Sequence, residues 1–271
     1  MRVRLRPLAR FAGKRRRSLA VAGVVVVAIA STYLITRPPD SPRDAVLDSL
    51  TAAHVDSVRH DSAAHLPTAY AHCRDELIAD LGPQFRHLDE SDRQLVFCNL
   101  VAHAMAPYGE STAVEMPELL TAKHLNCGNY PFLAARLFEV FDPKATGVIL
   151  LGWHGGTVGA HGMVYRWHPD RDRNLFLDPT AGVVVRADFD TVAAGRPIRA
   201  DRVVRFAHRD GVTALLRHHV ATAFVKGHFR PSDLLYFFEG PDHMIRRAGP
   251  AKDWPTPAAM VTRGSRKSVW E

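Results

Sequence analysis

The chain is short of cysteine and lacks every common metal-binding signature. It holds three cysteines, Cys73, Cys98 and Cys127, with no C-x-x-C pair and no H-E-x-x-H motif, so no zinc site can be read from spacing. Its fifteen histidines are scattered, and the adjacent His218 and His219 would point to different faces of a helix. Calcium requires clustered oxygen ligands, and Asp170 with Asp172 is too thin a set. The glycine-rich stretch from Gly152 to Gly159 lacks the lysine of a phosphate-cradling loop. No internal repeat is visible, and no metal or other cofactor is expected.

A basic body is also missing, although the whole chain carries a net charge of +7. Eight of the 35 basic residues, Arg2, Arg4, Arg6, Arg10, Lys14, Arg15, Arg16 and Arg17, precede Ser18, where no acid occurs. The remainder holds 27 basic against 28 acidic residues. A nucleic-acid footprint needs a basic face on the folded part, so no nucleic-acid partner is expected.

After the basic cluster comes an uncharged run from Ser18 to Thr36 with Val24-Val25-Val26-Val27 at its centre. At about 1.5 Å per helical residue it approaches the roughly 30 Å hydrocarbon core of a bilayer. It reads as a single-pass transmembrane helix in the cell membrane, with the amino terminus cytoplasmic and everything after Arg37 exported. The alternative is a signal peptide cleaved after Ala28-Ile29-Ala30; the anchor is preferred because the apolar run continues through Tyr33-Leu34-Ile35. The chain thus divides into five segments: a basic cytoplasmic segment at 1–17, the anchor at 18–36, a linker and stalk helix at 37–66, a domain at 67–249 and a flexible tail at 250–271. The linker is Pro38-Pro39-Asp40-Ser41-Pro42.

In the exported part, Ser41 as N-cap with Pro42 at the first position opens a helix whose Leu47, Leu50, His54 and Val58 line one face. Further helices are expected near Thr68–Leu81, closed by Gly82-Pro83, and near Ser91–Ala106, closed by Pro107. Beyond residue 200, Asp201–Phe206 reads as a strand, Val212–Lys226 as a helix stopped by Gly227, and Leu234–Phe238 as a buried strand.

The chemistry is concentrated in the middle. Cys127 stands in Leu-Asn-Cys-Gly-Asn-Tyr-Pro-Phe, just before a helix marked by the pairs Phe132/Leu133, Arg136/Leu137 and Val140/Phe141 and ended by Asp142-Pro143. A helix N-terminus and a neighbouring imidazolium are two environments that favour a thiolate. Unpaired backbone N–H groups there are expected to favour the anion. Val148–Leu151 and Met163–Trp167 read as strands, with His161 at the entrance of the second, and a third strand, Leu175–Leu177, delivers Asp178. Adjacent antiparallel strands would set His161 and Asp178 side by side. In such a set the imidazole takes the thiol proton and later protonates the leaving amine, while the carboxylate orients the ring.

A Cys-Gly pair opening a helix, a His before a hydrophobic strand with an aromatic, and an Asp-Pro-Thr ending a strand resemble, over roughly residues 115–185, the transglutaminase-like superfamily of papain-like cysteine enzymes. The resemblance implies an α+β fold, with helical lead-in and nucleophile helix packed on an antiparallel sheet. It also implies a thioester mechanism with Cys127 as nucleophile, His161 as general base and Asp178 as orienting acid. The substrate would be a peptide or another amide-bearing molecule, with hydrolysis or acyl transfer as the outcome. Superfamily members also include catalytically dead scaffolds, so a non-catalytic envelope binding module is the alternative.

Several points stay open at this level. No glutamine lies between Gln94 and Cys127 to complete an oxyanion hole, which leaves Tyr108, His124 or backbone N–H groups. His154 in Gly152-Trp153-His154-Gly155 competes with His161. Cys73 and Cys98, on neighbouring helices, form either a disulfide or two separate buried thiols; closing their loop would add roughly 3 kcal/mol.

The topology is directly testable. Protease added to intact cells should remove the domain, and a carboxyl-terminal reporter found in the cytoplasm would overturn the export expectation.

Overall fold

The runs Val148-Ile149-Leu150-Leu151, Leu175-Phe176-Leu177 and Val183-Val184-Val185 show no polar alternation because the sheet they build is covered on both faces. In the computed structural model, which describes residues 45–113, 115–154, 160–206, 211–228, 235–239 and 244–247, they belong to one antiparallel sheet. Five strands run in the order β5-β4-β3-β2-β1: β1 is Val148–His154, β2 Ala160–Arg166, β3 Leu175–Asp178, β4 Val183–Arg186 and β5 Val203–Arg205. Two further strands, β6 (Leu235–Glu239) and β7 (Met244–Arg247), continue the sheet beyond β1.

Alternate residues serve two cores. Val148, Leu150, Val164, Leu175, Leu177, Val184 and Val204 join the helices of the amino-terminal half. Ile149, Leu151, Met163, Tyr165, Phe176, Val183 and Val185 join α7 (Phe189–Ala193) and α8 (Gly211–Lys226) on the other side. The result is an α+β arrangement of three layers.

The first layer is built from α1 (Ala45–Ser49), α2 (Ala52–His60), α3 (Ser62–Leu81), α4 (Glu90–Met105), α5 (Met116–Thr121) and α6 (Asn129–Phe138). α3 buries Leu66, Tyr70, Cys73, Leu77 and Leu81, a stripe at helical spacing, and Gly82 ends it at φ 76°. α4 is buried on nearly every side from Leu95 to Ala102, which makes it the central helix.

The differences from the sequence expectations have local causes. The first expected helix is broken in two, because Thr51 accepts from the His54 amide and caps a new start; its opening at Ser41 lies outside the described residues. α3 begins at Ser62 and not near Thr68, since the Asp61 side chain caps it and Leu66 is buried, which together tolerate Pro67 inside the helix. Val46, Leu50, Val55 and Val58 share the main core, and Asp80 of α3 accepts from the Val46 amide. The boundary between stalk and domain at residue 66 therefore runs through a continuous helix. α6 ends at Phe138, where Val140 and Phe141 tighten onto the carbonyls of Leu137 and Phe138. At the carboxyl end of the domain, Ala200–Arg202 is a 3₁₀ turn before the short β5. The strands β4 and β7 and the helices α5 and α7 have no counterpart in the expectations. Among the described residues no helix is long and apolar enough to cross a membrane, and the expected anchor and tail lie outside them.

One polar knot joins the helical layer to the sheet. Asp92, fully buried at the start of α4, accepts from Arg166 Nε at 3.0 Å and from Arg173 Nη2 at 2.8 Å. Arg166 also donates to Ser91 Oγ and the Thr146 carbonyl and lies over the Phe138 ring. Arg173 pairs with Asp89 as well. Breaking a buried pair by removing one partner costs about 3–5 kcal/mol, whereas exposed pairs contribute about 1 kcal/mol or less. Asp92→Ala should therefore lower the denaturation midpoint far more than Asp56→Ala, which removes an exposed pair with Arg59; equal effects in urea titrations would refute this account of the knot.

Candidate active site

Cys127 sits two residues before the first residue of α6, and its position is set by a reciprocal pair of asparagines. Asn126 Oδ1 accepts from the amides of Gly128 and Asn129, while the Asn126 amide donates to Asn129 Oδ1. This has the logic of a capping box, with asparagine in both roles. It corrects one expectation: the amides of Gly128, Asn129 and Tyr130 are all taken by Asn126, so they are not open donors for an anion. Tyr130 OH donates to the Ala106 carbonyl at 2.6 Å and fastens the helix to the end of α4.

His161 and Asp178 come together as expected. The β2–β3 register sets Val164 against Leu177, so Asp178 lies opposite Met163, two residues from His161 on the same side. His161 Nε2 is 2.6 Å from Asp178 Oδ2, and both side chains are about 2% exposed. The other carboxylate oxygen accepts from the Ala181 amide at 2.9 Å, which locks the acid. With Nε2 occupied, Nδ1 is the nitrogen left for Cys127, whose side chain hydrogen-bonds the ring. His154 ends β1 opposite Ala160 in the backbone pairing, and the described contact to Asp178 belongs to His161.

Burial alone would push the His161 pKa down. The charge and hydrogen bond of Asp178, with a smaller contribution from Cys127, outweigh burial and push it up to about 10. The ring is thus an imidazolium through the neutral range. Cys127 is half-buried, unlike the other two cysteines. Burial, followed by the charge of Glu76, pushes the Cys73 thiol up to about 11, and burial holds that of Cys98 well above its usual value. Both are free and buried, with no disulfide between them.

Three positioning features were missed from the sequence. Gly162, next to His161, leaves no room for a side chain: a Cβ there would stand 2.5 Å from the Cys127 carbonyl oxygen and 3.1 Å from Pro131 Cγ. The loop that carries Cys127 therefore lies directly on β2. His103 Nδ1, in the last turn of α4, is 2.7 Å from the Pro179 carbonyl and holds the turn that follows Asp178. The Asn126/Asn129 pair is the third, and the pattern Asn-x-x-Asn before an apolar run was its signal.

The remaining wall is the segment from Pro107 to Ala113. It pairs with the loop before Cys127 through a parallel bridge, Tyr108 with Leu125, and the Leu125 amide donates to Pro107 O while the Gly109 amide donates to Leu125 O. Asn126 Nδ2 donates to Ser111 O and Asn129 Nδ2 to Ala113 O. Of the expected oxyanion donors, Tyr108 is the one whose hydroxyl the Cys127 charge reaches: burial first, and then that charge, raise its pKa. The His124 ring packs instead against Gly109. Among the described residues no group of three or more His, Cys, Asp or Glu side chains is arranged to hold a metal ion.

The sign of the His161 shift gives a test. The stability this pair adds is fully present below the ordinary value of 6.5 and is lost as pH rises through about 10. Asp178→Asn removes the strongest raising influence and leaves burial, so the ring's titration, followed by NMR, should fall from near 10 to the ordinary histidine range or below. An unchanged titration would break the assignment of Asp178 as its cause.

Comparison with family models, with curated proteins and with solved structures finds no match to this chain.

Proposed function

We propose that this protein is a thiol enzyme of the transglutaminase-like, papain-like kind that attacks amide bonds outside the cytoplasm, tethered by a membrane helix at 18–36. The observation that carries this reading is the buried relay from Asp178 through His161 to the half-exposed Cys127, with the carboxylate locked by the Ala181 amide.

The roles are set by charge. Cys127 attacks the amide carbonyl as a thiolate paired with the His161 imidazolium. The Tyr108 hydroxyl donates to the oxyanion as it forms. The imidazolium then protonates the departing amine, leaving a thioester on Cys127. Neutral His161 next acts as base for the acceptor, water in hydrolysis or an amine in acyl transfer.

The full-length protein should react with iodoacetamide at Cys127 much faster than a free thiol at pH 6, with the site read by peptide mass mapping. Cys127→Ala should abolish turnover of labelled amine donors and peptide mixtures. His161→Ala should slow alkylation sharply near pH 6. Asp178→Asn should cost as much as about 10⁴ in turnover, the loss reached in a serine triad, and Tyr108→Phe about 10². His154→Ala should change little. Alkylation no faster than that of a free thiol, or control of reactivity by His154, would replace this reading with a non-catalytic binding module.

A further inference from the structure

The wall beside the nucleophile carries a charge that the proposed chemistry does not use. Tyr108, Gly109, Glu110, Ser111 and Asn126 line a cleft of about 340 Å³. The parallel bridge of Tyr108 with Leu125 sets this wall beside the loop that carries Cys127, and Glu110 lies two residues beyond Tyr108. Glu110 is exposed, and among the described residues no cation lies within ion-pair distance of it, not even Lys123 or His124 on the facing segment. Tyr108 remains 38% exposed, one of only three large hydrophobic side chains so exposed among the described residues.

The wall is held in place by four hydrogen bonds to the nucleophile loop: Leu125 to Pro107, Gly109 to Leu125, Asn126 to Ser111 and Asn129 to Ala113. Glu110 and Tyr108 are therefore carried on the same rigid unit as Cys127. An aromatic face and a carboxylate with no ion-pair partner among the described residues, in one cleft, are the pair of groups that recognise an alkylammonium, through cation–π attraction and charge.

We propose that Glu110 and Tyr108 form a subsite selecting substrates with a cationic group next to the scissile amide. This rests on the thiol–amide reading above and names its substrate class. A negative or neutral group at that position gains nothing from the carboxylate, so the selectivity is one of charge.

Charged thiol reagents test the subsite without knowledge of the substrate. Wild-type full-length protein is treated with 2-aminoethyl, methyl and 2-sulfonatoethyl methanethiosulfonate, each of which leaves its thioalkyl group on Cys127 and releases methanesulfinate. Relative to the free thiol, the cationic reagent should be favoured over the neutral one by roughly fivefold, as for a partly exposed ion pair. The preference should shrink in 1 M salt, where charges are screened beyond about 3 Å. Glu110→Gln should remove it and Glu110→Lys should reverse it. Asp75→Asn, which removes the same charge from an exposed site on α3, should not. A cationic-to-neutral ratio that is the same in wild type and Glu110→Gln, or that falls equally in Asp75→Asn, overturns the subsite alone. Slow reaction with the neutral reagent at pH 6 overturns the enzyme reading, and the substrate class with it.

Discussion

Four charges set between the helical layer and the sheet, those of Asp89, Asp92, Arg166 and Arg173, determine where everything else can sit. They sum to zero, and their hydrogen bonds are shared among elements far apart in sequence. Arg166 alone ties the start of α4, the loop before β1 and the end of α6 to β2. Such a cluster gains little over apolar packing in free energy, but each partner strongly constrains the others. Its value here is registration. α4 is fastened at Asp92 to the far end of β2 and at His103 to the turn after Asp178. Eleven helical residues at about 1.5 Å span roughly 16 Å, and the five strand residues from Arg166 back to His161 at about 3.3 Å span the same distance. The helix acts as a ruler laid along the sheet, and its two fixings set the level at which His161 and Asp178 face Cys127.

Cys127 is brought to that level by a different set of contacts. The loop before α6 is closed on itself by Asn126 and Asn129 and zipped to the wall at 107–113. It meets the sheet at Gly162, where main chain rests on main chain. A side chain there would lift the loop off β2 and with it Cys127 off the imidazole on the neighbouring residue. Placement of His161 and Asp178 thus depends on α4, while placement of the Cys127 thiol depends on the asparagine pair and a missing side chain.

How much of this was legible depends on the range of the interactions. The order Cys127, His161, Asp178, each on the expected type of element, is carried by local pattern: hydrophobic runs that read as strands and an apolar periodicity that reads as a helix. The Asn126/Asn129 pair is also local and was there to be read as a cap. Arg166 and Asp92 are 74 residues apart and carry no pattern that links them. His103 was one histidine among fifteen, and only the turn it touches separates it from the rest. Gly162 looks like an ordinary weak point in a strand until the opposing loop is known. Helix starts at Thr51 and Asp61 were lost because side-chain caps acted where Pro67 and the apolar spacing pointed elsewhere.

The protonation of His161 links these separate fixings to chemistry. A ring this buried would be neutral if left alone, and in the proposed reaction only the charged ring has a proton to give the departing amine. The carboxylate reverses that balance because it is itself immobile: one oxygen holds the ring and the other is held by Ala181, within a turn braced by His103. A mobile acid would lose part of this influence to water. Holding Asp178 still is therefore a requirement on α4 and its distant anchor at Asp92, so the proton held by the ring depends on a salt bridge at the opposite end of the strand that carries it.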